Sequence, residues 1–185
     1  MKTLWISLRL LLSFTLVLGV IYPLAMTGLG QVLFPVQANG SLVRENGKVM
    51  GSSLIGQDFS STDKYFQGRP PATSGASNLS PWGQTFKTQV TDRTAAWAGK
   101  PGMTGELIPQ ELVTTSASGL DPDIPLEAAL FQVSFLGAAR KISDLGPLET
   151  LVLAQAKRPL FPWDPASYVN ILELNRALDN LYGKP

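Results

Sequence analysis

The chain has 185 residues, with 15 basic side chains against 14 acidic ones and a formal net charge of +1. It contains neither cysteine nor histidine, which excludes disulfides, Cys/His zinc sites and every nucleophile–base pair that uses histidine. The balanced charge has no basic block, so nucleic acid is not expected as a partner. We therefore expect no metal site and no tightly bound cofactor.

An uncharged, mostly apolar run occupies residues 10–34. About 20 apolar residues suffice to cross a hydrocarbon core of roughly 30 Å, so the run predicts one transmembrane helix at 10–34. Lys2 and Arg9 precede it, and the positive-inside rule then places residues 1–9 in the cytoplasm. Residues 36–185 are predicted to form one extracytoplasmic domain. The sequence thus predicts a single-pass protein of the plasma (inner) membrane, in contact with membrane lipid.

A cleaved secretory signal is the alternative for this N-terminal run. Val36-Gln37-Ala38 offers a weak small-residue cleavage site for such a signal. A signal peptide's apolar core is usually about 7–15 residues long, and the run here is longer. A retained anchor is therefore the preferred interpretation.

Small or weakly polar residues recur every fourth position in the anchor, at Thr15, Gly19, Pro23 and Thr27. In lipid, helices associate where small residues allow their backbones to approach closely, so this stripe predicts a face that docks on another membrane subunit. The alternative is that glycine and proline are simply common in membrane helices. Both interpretations remain open at this point.

The outer part begins with a hairpin signal. Residues 42–45 and 48–50 flank Asn46-Gly47, which favours a type I′ turn. Residues 53–56 are predicted to continue a strand. The stretch 57–78 is rich in glycine, serine, proline and aromatic residues, which predicts a long irregular segment ordered by its own contacts.

Helix signals dominate the remainder. The first predicted helix runs from Ser80-Pro81 to Gly99, with Trp82, Phe86, Val90 and Trp97 on its apolar face. One helical turn follows at 108–113, then helices from an Asp123 cap to Arg140-Lys141 and from Gly146-Pro147 through Leu153. A last helix carries Leu174, Leu178 and Leu181 on one side, with Gly183 as the stop. Residues 169–172 are strand-like, or the entry to the last helix. Prolines at 159, 162 and 165 interrupt the chain before it. The predicted fold class is a helix-rich, mixed α+β domain with a small sheet, made from the hairpin and, as an open alternative, the segment at 169–172.

A polar turn at residues 114–122 is the most distinctive stretch outside the membrane. Its four hydroxyl residues, followed by Gly119 and Asp121-Pro122, can satisfy backbone groups locally or offer donors to a ligand. It is not a phosphate loop, because no glycine run ends in Lys-Ser or Lys-Thr. It is not a nucleophile elbow either, because Ser118 lacks both the required glycine spacing and a histidine. We therefore expect no catalytic residue; Asp121 and Asp123 could act as acids or bases, but turn chemistry is the preferred role.

Six sequence blocks carry a resemblance to a known family. In chain order they are Gly51-Ser52 with Leu54-Ile55-Gly56-Gln57, Tyr65-Phe66 with Arg69-Pro70, Ser74-Gly75 with Ser77-Asn78-Leu79, Val113-Thr114 with Ser116 to Pro122, Ala128-Ala129 with Gln132-Val133, and Val169-Asn170 with Leu172, Leu174-Asn175 and Ala177-Leu178. With these blocks the chain resembles the C subunit of the Kdp potassium-transporting P-type ATPase. The resemblance covers nearly the whole chain.

The resemblance implies a non-catalytic accessory subunit of a high-affinity, ATP-driven potassium uptake complex. Its partners would be a channel-like subunit that selects potassium and a P-type subunit that hydrolyses ATP. It implies a role in assembly and a role as a catalytic chaperone that raises the ATP affinity of the hydrolysing subunit. Because an outer domain cannot touch cytoplasmic ATP, we expect such an effect to reach the nucleotide site as a coupling free energy through the membrane helices.

Two sets of candidate residues follow. If a nucleotide is involved, its candidate contacts are Gln132, Ser116 and Ser118. For Gln132 a structural role is preferred, because a buried amide usually bonds to a local partner. The candidates for docking on partner subunits are Thr15, Gly19, Pro23 and Thr27 in the anchor and Tyr65, Phe66, Arg69, Ser77, Asn78, Gly119, Asp121, Asn170 and Asn175 outside it. The alternative function is an independent membrane-anchored domain that binds an extracytoplasmic ligand in a polar pocket.

Overall fold

The structure is a computed structural model that describes residues 1–45, 47–71, 77–103, 107–158 and 167–185. The predictions made for Asn46, Ser74-Gly75 and the prolines at 159–165 lie outside these ranges. The chain divides into two compact units, Met1–Met50 and Gly51–Pro185. Where the membrane ends and the outer domain begins stays a prediction.

The first unit is dominated by one long helical span, Lys2–Leu33, which is apolar and long enough to cross a membrane. It comprises α1 (Lys2–Leu16), a π-helical turn (Val17–Ile21) and α2 (Tyr22–Leu33). The helix begins at Lys2, earlier than the apolar run, because basic side chains do not interrupt backbone hydrogen bonding.

The π-helical turn has an identifiable cause in Pro23. Proline has no backbone N–H, and its ring clashes with the carbonyl four residues earlier, here that of Gly19. The backbone N–H of Tyr22 donates to the carbonyl of Val17, five residues back instead of four. The helix therefore accommodates Pro23 by a wider turn, a feature often found at functional positions of helices.

A short helix α3 (Pro35–Ala38) precedes the predicted hairpin. The hairpin forms from β1 (Leu42–Glu45) and β2 (Lys48–Ser52), with Gly47 at a φ of +78° as such a turn requires. The predicted strand at 53–56 is wrong. That segment is a turn, because the Ser52 hydroxyl and carbonyl accept the N–H groups of Leu54 and Ile55 at 3.1 and 3.2 Å.

The second unit is helix-rich, as predicted. Its elements are α4 (Gln84–Ala98), a 3₁₀ turn (Gln110–Leu112), β3 (Asp123–Pro125), α5 (Leu126–Phe131), α6 (Val133–Arg140), α7 (Gly146–Gln155), β4 (Tyr168–Asn170) and α8 (Ile171–Tyr182). The α+β fold class is confirmed. The described residues form two separate two-stranded sheets, β1–β2 and β3–β4, so the late strand does not join the hairpin.

The prediction that Asp123 caps a helix is wrong. Residues 123–125 form strand β3, which pairs antiparallel with β4 so that Ile124 lies opposite Val169. The helix starts at Leu126, whose N–H donates to the carbonyl of Ser167 at 2.9 Å. A partner strand more than forty residues away thus overrides the local capping signal. Asn170 is the residue that caps a helix, since its side chain accepts the N–H of Glu173 at the start of α8.

Two further predicted helix boundaries differ. Ser80 and Trp82 precede α4 in a turn closed by the bond from Gly83 N–H to the Ser80 carbonyl, 2.9 Å, so Trp82 is 86% exposed instead of lying on the apolar face. The long helix predicted at 123–141 is broken at Gln132, whose N–H bonds to Ala129, three residues back. The predicted ends at Gly99 and Gly183 are confirmed.

The core of the second unit lies between α4, the 3₁₀ turn, β3, β4 and α5–α8. Its fully buried side chains include Phe66, Ile124, Phe135, Leu136, Leu148, Val152, Val169, Leu174 and Leu178. Trp97 meets Phe131 and Phe135 edge to face, at ring-centroid distances of 6.1 and 5.6 Å. Such aromatic pairs add to the free energy that area burial provides.

Candidate functional site

An irregular segment at residues 64–69, called the clamped segment below, is held by side chains from three helices or helix junctions. Asn175 on α8 accepts the N–H of Phe66 with Oδ1 and donates Nδ2–H to its carbonyl, both at 2.9 Å. Gln132 does the same for Gln67, accepting at 2.7 Å and donating at 2.9 Å. Both amide side chains are buried, so they replace the neighbouring strand that this backbone lacks.

The N-terminal end of the clamped segment is fixed by charge. Arg140 donates Nε–H to the carbonyl of Lys64 at 2.6 Å and pairs with Asp179 at 3.2 Å. The hydroxyl of Tyr65 donates to Asp179 at 3.0 Å, while the guanidinium lies 5.1 Å from the Tyr65 ring. Burial, and next the neighbouring Asp179, raise the pKa of Tyr65 above its usual value. The hydroxyl therefore stays a proton donor at neutral pH.

At the other end, Arg69 joins the clamped segment to the polar turn at 114–122. One guanidinium nitrogen donates to the Thr115 carbonyl at 3.2 Å, and another lies 3.7 Å from an Asp121 carboxylate oxygen. Arg69 also lies in the wall of a cavity of about 350 Å³. This cavity, the Arg69 cleft, is lined by Gln57, Asp58, Phe59, Ser60, Gln67, Gly68, Arg69, Pro70, Pro71, Arg93, Ala96, Trp97, Lys100 and Leu112.

The hydroxyls of the polar turn mostly satisfy its own backbone. The Ser116 and Ser118 hydroxyls accept the N–H groups of Asp121 and Leu120 at 3.4 and 3.2 Å. The hydroxyl of Thr114 donates to the Gln110 carbonyl at 2.8 Å. The geometry thus supports hydrogen bonding to nearby backbone, the first of the two roles predicted for these hydroxyls.

The turn at 53–56 packs directly on this polar turn. The N–H of Gly56 donates to the carbonyl of Leu120 at 2.8 Å. Leu54, Ile55 and Leu120 remain 64, 44 and 50% exposed. We call these three residues the Leu54 patch; exposed apolar side chains on two adjoining turns are candidates for an interaction surface.

The structure brings together only some of the predicted site residues. Arg69, Ser116, Gly119 and Asp121 line one small cavity of about 110 Å³. Phe66 is buried in the core, and the buried amides of Gln132 and Asn175 hold the backbone of the clamped segment. Asn170 bonds to Ser53 and Asp123, and Ser77 and Asn78 are exposed. Gln132 lines neither cavity. The contact of Gln132 and the serines with a nucleotide stays a prediction.

Several residues of this region were not found from the sequence. Gln67 lies between Tyr65-Phe66 and Arg69-Pro70, at a position that the family pattern leaves open. Arg93 lies on helix α4 and Lys100 follows it, and the sequence analysis considered only the apolar face of that helix. Lys100 pairs with Asp63 and lies 5.0 Å from the Trp97 ring. Among the described residues, no group of three or more acidic, histidine or cysteine side chains is placed to hold a metal ion.

The Asp123 carboxyl on strand β3 predicts a pH effect. Burial raises its pKa above the usual value, against the bond from Asn170 and the charge of Lys157, which lower it. Because its pKa is higher in the folded state, ionisation of Asp123 destabilises the folded protein. This destabilisation is absent at pH values below the pKa of the unfolded chain and is complete above the pKa of the folded protein. We expect Asp123→Asn to raise the melting temperature at pH 7 and not at pH 3. Thermal unfolding of both proteins at the two pH values checks this; equal shifts would contradict it.

The fold and these contacts define a class of protein. It is a helix-rich α+β domain held by buried amides, on a chain whose described residues include one apolar helix long enough to span a membrane. A sequence model of the family described as KdpC, the c chain of the K⁺-transporting ATPase, matches residues 4–180. The chain therefore belongs to the KdpC family of potassium-transporting ATPase subunits, which confirms the resemblance found in its sequence blocks.

Relatives from several organisms agree. The chain is 44% identical to the potassium-transporting ATPase KdpC subunit of Rhodopseudomonas palustris, with 91% of this chain and 92% of the relative covered. It is 45% identical to that of Pseudomonas entomophila, covering 95% and 93%. It is 48% identical to that of Methanosphaerula palustris, covering 89% of each. The similarity thus extends over both the apolar helix and the second compact unit.

Proposed function

We propose that this chain is a non-catalytic accessory subunit that stabilises a high-affinity, ATP-driven potassium uptake complex. The observation that carries the proposal is the family match over residues 4–180, which includes the apolar helix. We further propose that residues 10–34 span the membrane once, with residues 1–9 in the cytoplasm and 36–185 outside. Lys2 and Arg9 ahead of the apolar run support this orientation.

Co-purification tests the proposal. The chain is tagged at its C-terminus and extracted in mild detergent from membranes of potassium-starved cells. We expect a channel-like potassium-selecting subunit and a P-type ATPase subunit to be recovered with it in fixed ratio. A stable chain recovered alone would contradict the accessory role and favour the independent ligand-binding domain, for which the Arg69 cleft is the available site.

We propose that the Leu54 patch contributes to docking on the potassium-selecting subunit. The patch is apolar, and Arg69 and Asp121 lie beside Leu120 at one cavity. An apolar centre with a charged rim is the common anatomy of protein interfaces.

Leu120→Arg is expected to lower recovery of the complex about tenfold, since burying an unpaired charge in an interface costs well over 1.4 kcal/mol. Leu153→Arg is the matched control, because Leu153 is a similarly exposed leucine (55%) on α7. Quantitative recovery of both partner subunits with each tagged variant is the measurement. Equal losses of partner recovery in the two variants would show that the Leu54 patch is not part of the interface.

We propose that the stripe through Gly19 is the docking face of the anchor. Gly19→Leu is expected to weaken recovery of the complex severalfold, because it prevents close approach of a neighbouring helix. Ala25→Leu adds bulk elsewhere on the same helical span and is the control. Unchanged recovery of the Gly19 variant would contradict the docking role of the stripe.

We propose, finally, that the chain raises the ATP affinity of the hydrolysing subunit without touching ATP itself. Two observations support an indirect route: the amide of Gln132 is fully buried and bonded to backbone, and the serine hydroxyls serve their own turn. The ATP concentration for half-maximal hydrolysis should then rise in complexes assembled with Gly19→Leu. Saturable ATP binding to the isolated chain would contradict the indirect route.

A further inference from the structure

Two side chains of the clamped segment carry hydrogen-bond donors without a partner in the described part of the chain. They are the Nε2 of Gln67 and the Nε of Arg69, both buried, and Gln67 as a whole is only 8% exposed. Both residues line the Arg69 cleft. A buried unpaired donor is costly and rare in native proteins. Two such donors on residues that line one cavity mark it as a candidate binding site.

The fold holds this region rigidly in place. Two buried amides, those of Gln132 and Asn175, are used to fix the backbone of Gln67 and its neighbour Phe66. The side chain of Gln67 is consequently attached to a backbone that hydrogen bonds hold at the wall of the cleft. Binding sites depend on this kind of support, because a positioned donor loses little entropy when its acceptor arrives.

The charges around the cleft specify the acceptor. The groups involved are the cations Arg69, Arg93 and Lys100 and the carboxylates Asp58, Asp63 and Asp121. Their formal charges cancel, but within the described residues Arg93 has no carboxylate within 4.0 Å and only donates to the Val113 carbonyl at 3.0 Å. One guanidinium without a counterion suits a group with a single negative charge. A multiply charged phosphate ester would bring more negative charge than this one guanidinium balances, beside Asp58, which also lines the cleft.

The remaining wall is largely apolar. Phe59, Pro70, Pro71 and Trp97 all line the cleft, and its volume of about 350 Å³ falls within the range usual for small-ligand sites. We propose that the Arg69 cleft is a binding site for a carboxylate carried on a compact apolar body. Arg93, Gln67 and Arg69 donate hydrogen bonds to the carboxylate oxygens, and the aromatic and proline side chains contact the body.

The first test uses the full-length chain in detergent, with benzoate as the probe. Benzamide is its neutral isostere, and inorganic phosphate and ATP are the multiply charged competitors. NMR signals of the Gln67 side-chain amide and the Trp97 indole N–H should shift saturably with benzoate, with affinity about tenfold weaker for benzamide because charge-assisted bonds are the stronger ones. Equal binding of benzamide, tighter binding of phosphate or ATP, or no saturation by benzoate would overturn the proposal.

Variants locate the site. Arg93→Gln should weaken benzoate binding about tenfold, whereas Lys87→Gln, an exposed cation on the same helix α4, should leave it unchanged. Gln67→Met removes the unpaired donor, so benzoate affinity should fall severalfold while the melting temperature stays equal or rises. A Gln67→Met protein with wild-type benzoate affinity would contradict the assignment of the site. If Arg93→Gln fails to fold because it loses the bond to Val113, the Gln67→Met variant alone is used for the test.

The carboxylate can come from a free organic acid or from an acidic side chain of a partner subunit. Repeating the benzoate titration on the assembled complex separates these sources. If a partner's side chain fills the cleft, benzoate shifts disappear in the complex and Arg93→Gln lowers recovery of that partner. If the ligand is a free acid, benzoate binds the complex and the isolated chain alike. Because the first test uses the isolated chain, its failure is independent of whether the chain assembles into a pump.

Discussion

Replacing Gln132 with leucine is expected to lower the free energy of unfolding by roughly 2–6 kcal/mol, because it leaves two buried backbone groups unpaired at about 1–3 kcal/mol each. Those groups are the N–H and the carbonyl of Gln67, which the amide of Gln132 holds at 2.7 and 2.9 Å. Since whole domains are stable by only about 5–15 kcal/mol, the variant should melt far below the wild type or fail to fold.

The measurement is thermal unfolding combined with amide hydrogen exchange. Exchange at Gln67 should accelerate more than at Phe66, which Asn175 still holds. Gln84→Leu, at an exposed glutamine of α4, is the control and should melt like the wild type. A folded, wild-type-like Gln132→Leu protein whose complex binds ATP more weakly would instead assign Gln132 to the nucleotide.

Replacing Gly56 with alanine is expected to destabilise the second unit by roughly 1–3 kcal/mol, the usual cost of overpacking, and to lower recovery of the complex. An added Cβ would lie 2.7 Å from the backbone oxygen of Asp121. Backbone cannot rotate away as a side chain can, and Gly56 is also bonded to Leu120 at 2.8 Å. The turn at 53–56 must therefore separate from the polar turn, which displaces the Leu54 patch.

Gly68→Ala is the matched control for this variant. Gly68 lines the same small cavity as Gly56, but its added Cβ would meet Ile171 at 3.6 Å, an ordinary van der Waals distance. The melting temperature and the recovery of partner subunits should fall for Gly56→Ala and stay at wild-type values for Gly68→Ala. Similar values for the two variants would show that the contact between the two turns is dispensable.

Most features governed by neighbouring residues were predicted correctly from the sequence, although the turns at 53–56 and 80–83, closed by bonds to Ser52 and Ser80, were not. The apolar helix, the hairpin around Gly47 and the helix ends at Gly99 and Gly183 depend on composition or on groups within one turn. The fold class and the family followed from the same kind of pattern. Strand β3 was missed because its partner β4 lies more than forty residues away. At the break at Gln132, the side chain binds the backbone of Gln67, 65 residues away.

The sequence by itself determined that this protein has one apolar helix, a helix-rich α+β domain and no histidine or cysteine chemistry. Only the tertiary structure decided what its buried amides do. Gln132 binds a backbone 65 residues away and Asn175 one 109 residues away, and no periodicity or capping rule reaches that far. Capping and turn preferences act through atoms a few bonds apart. The Arg69 cleft and its unpaired donors exist only once distant segments have packed.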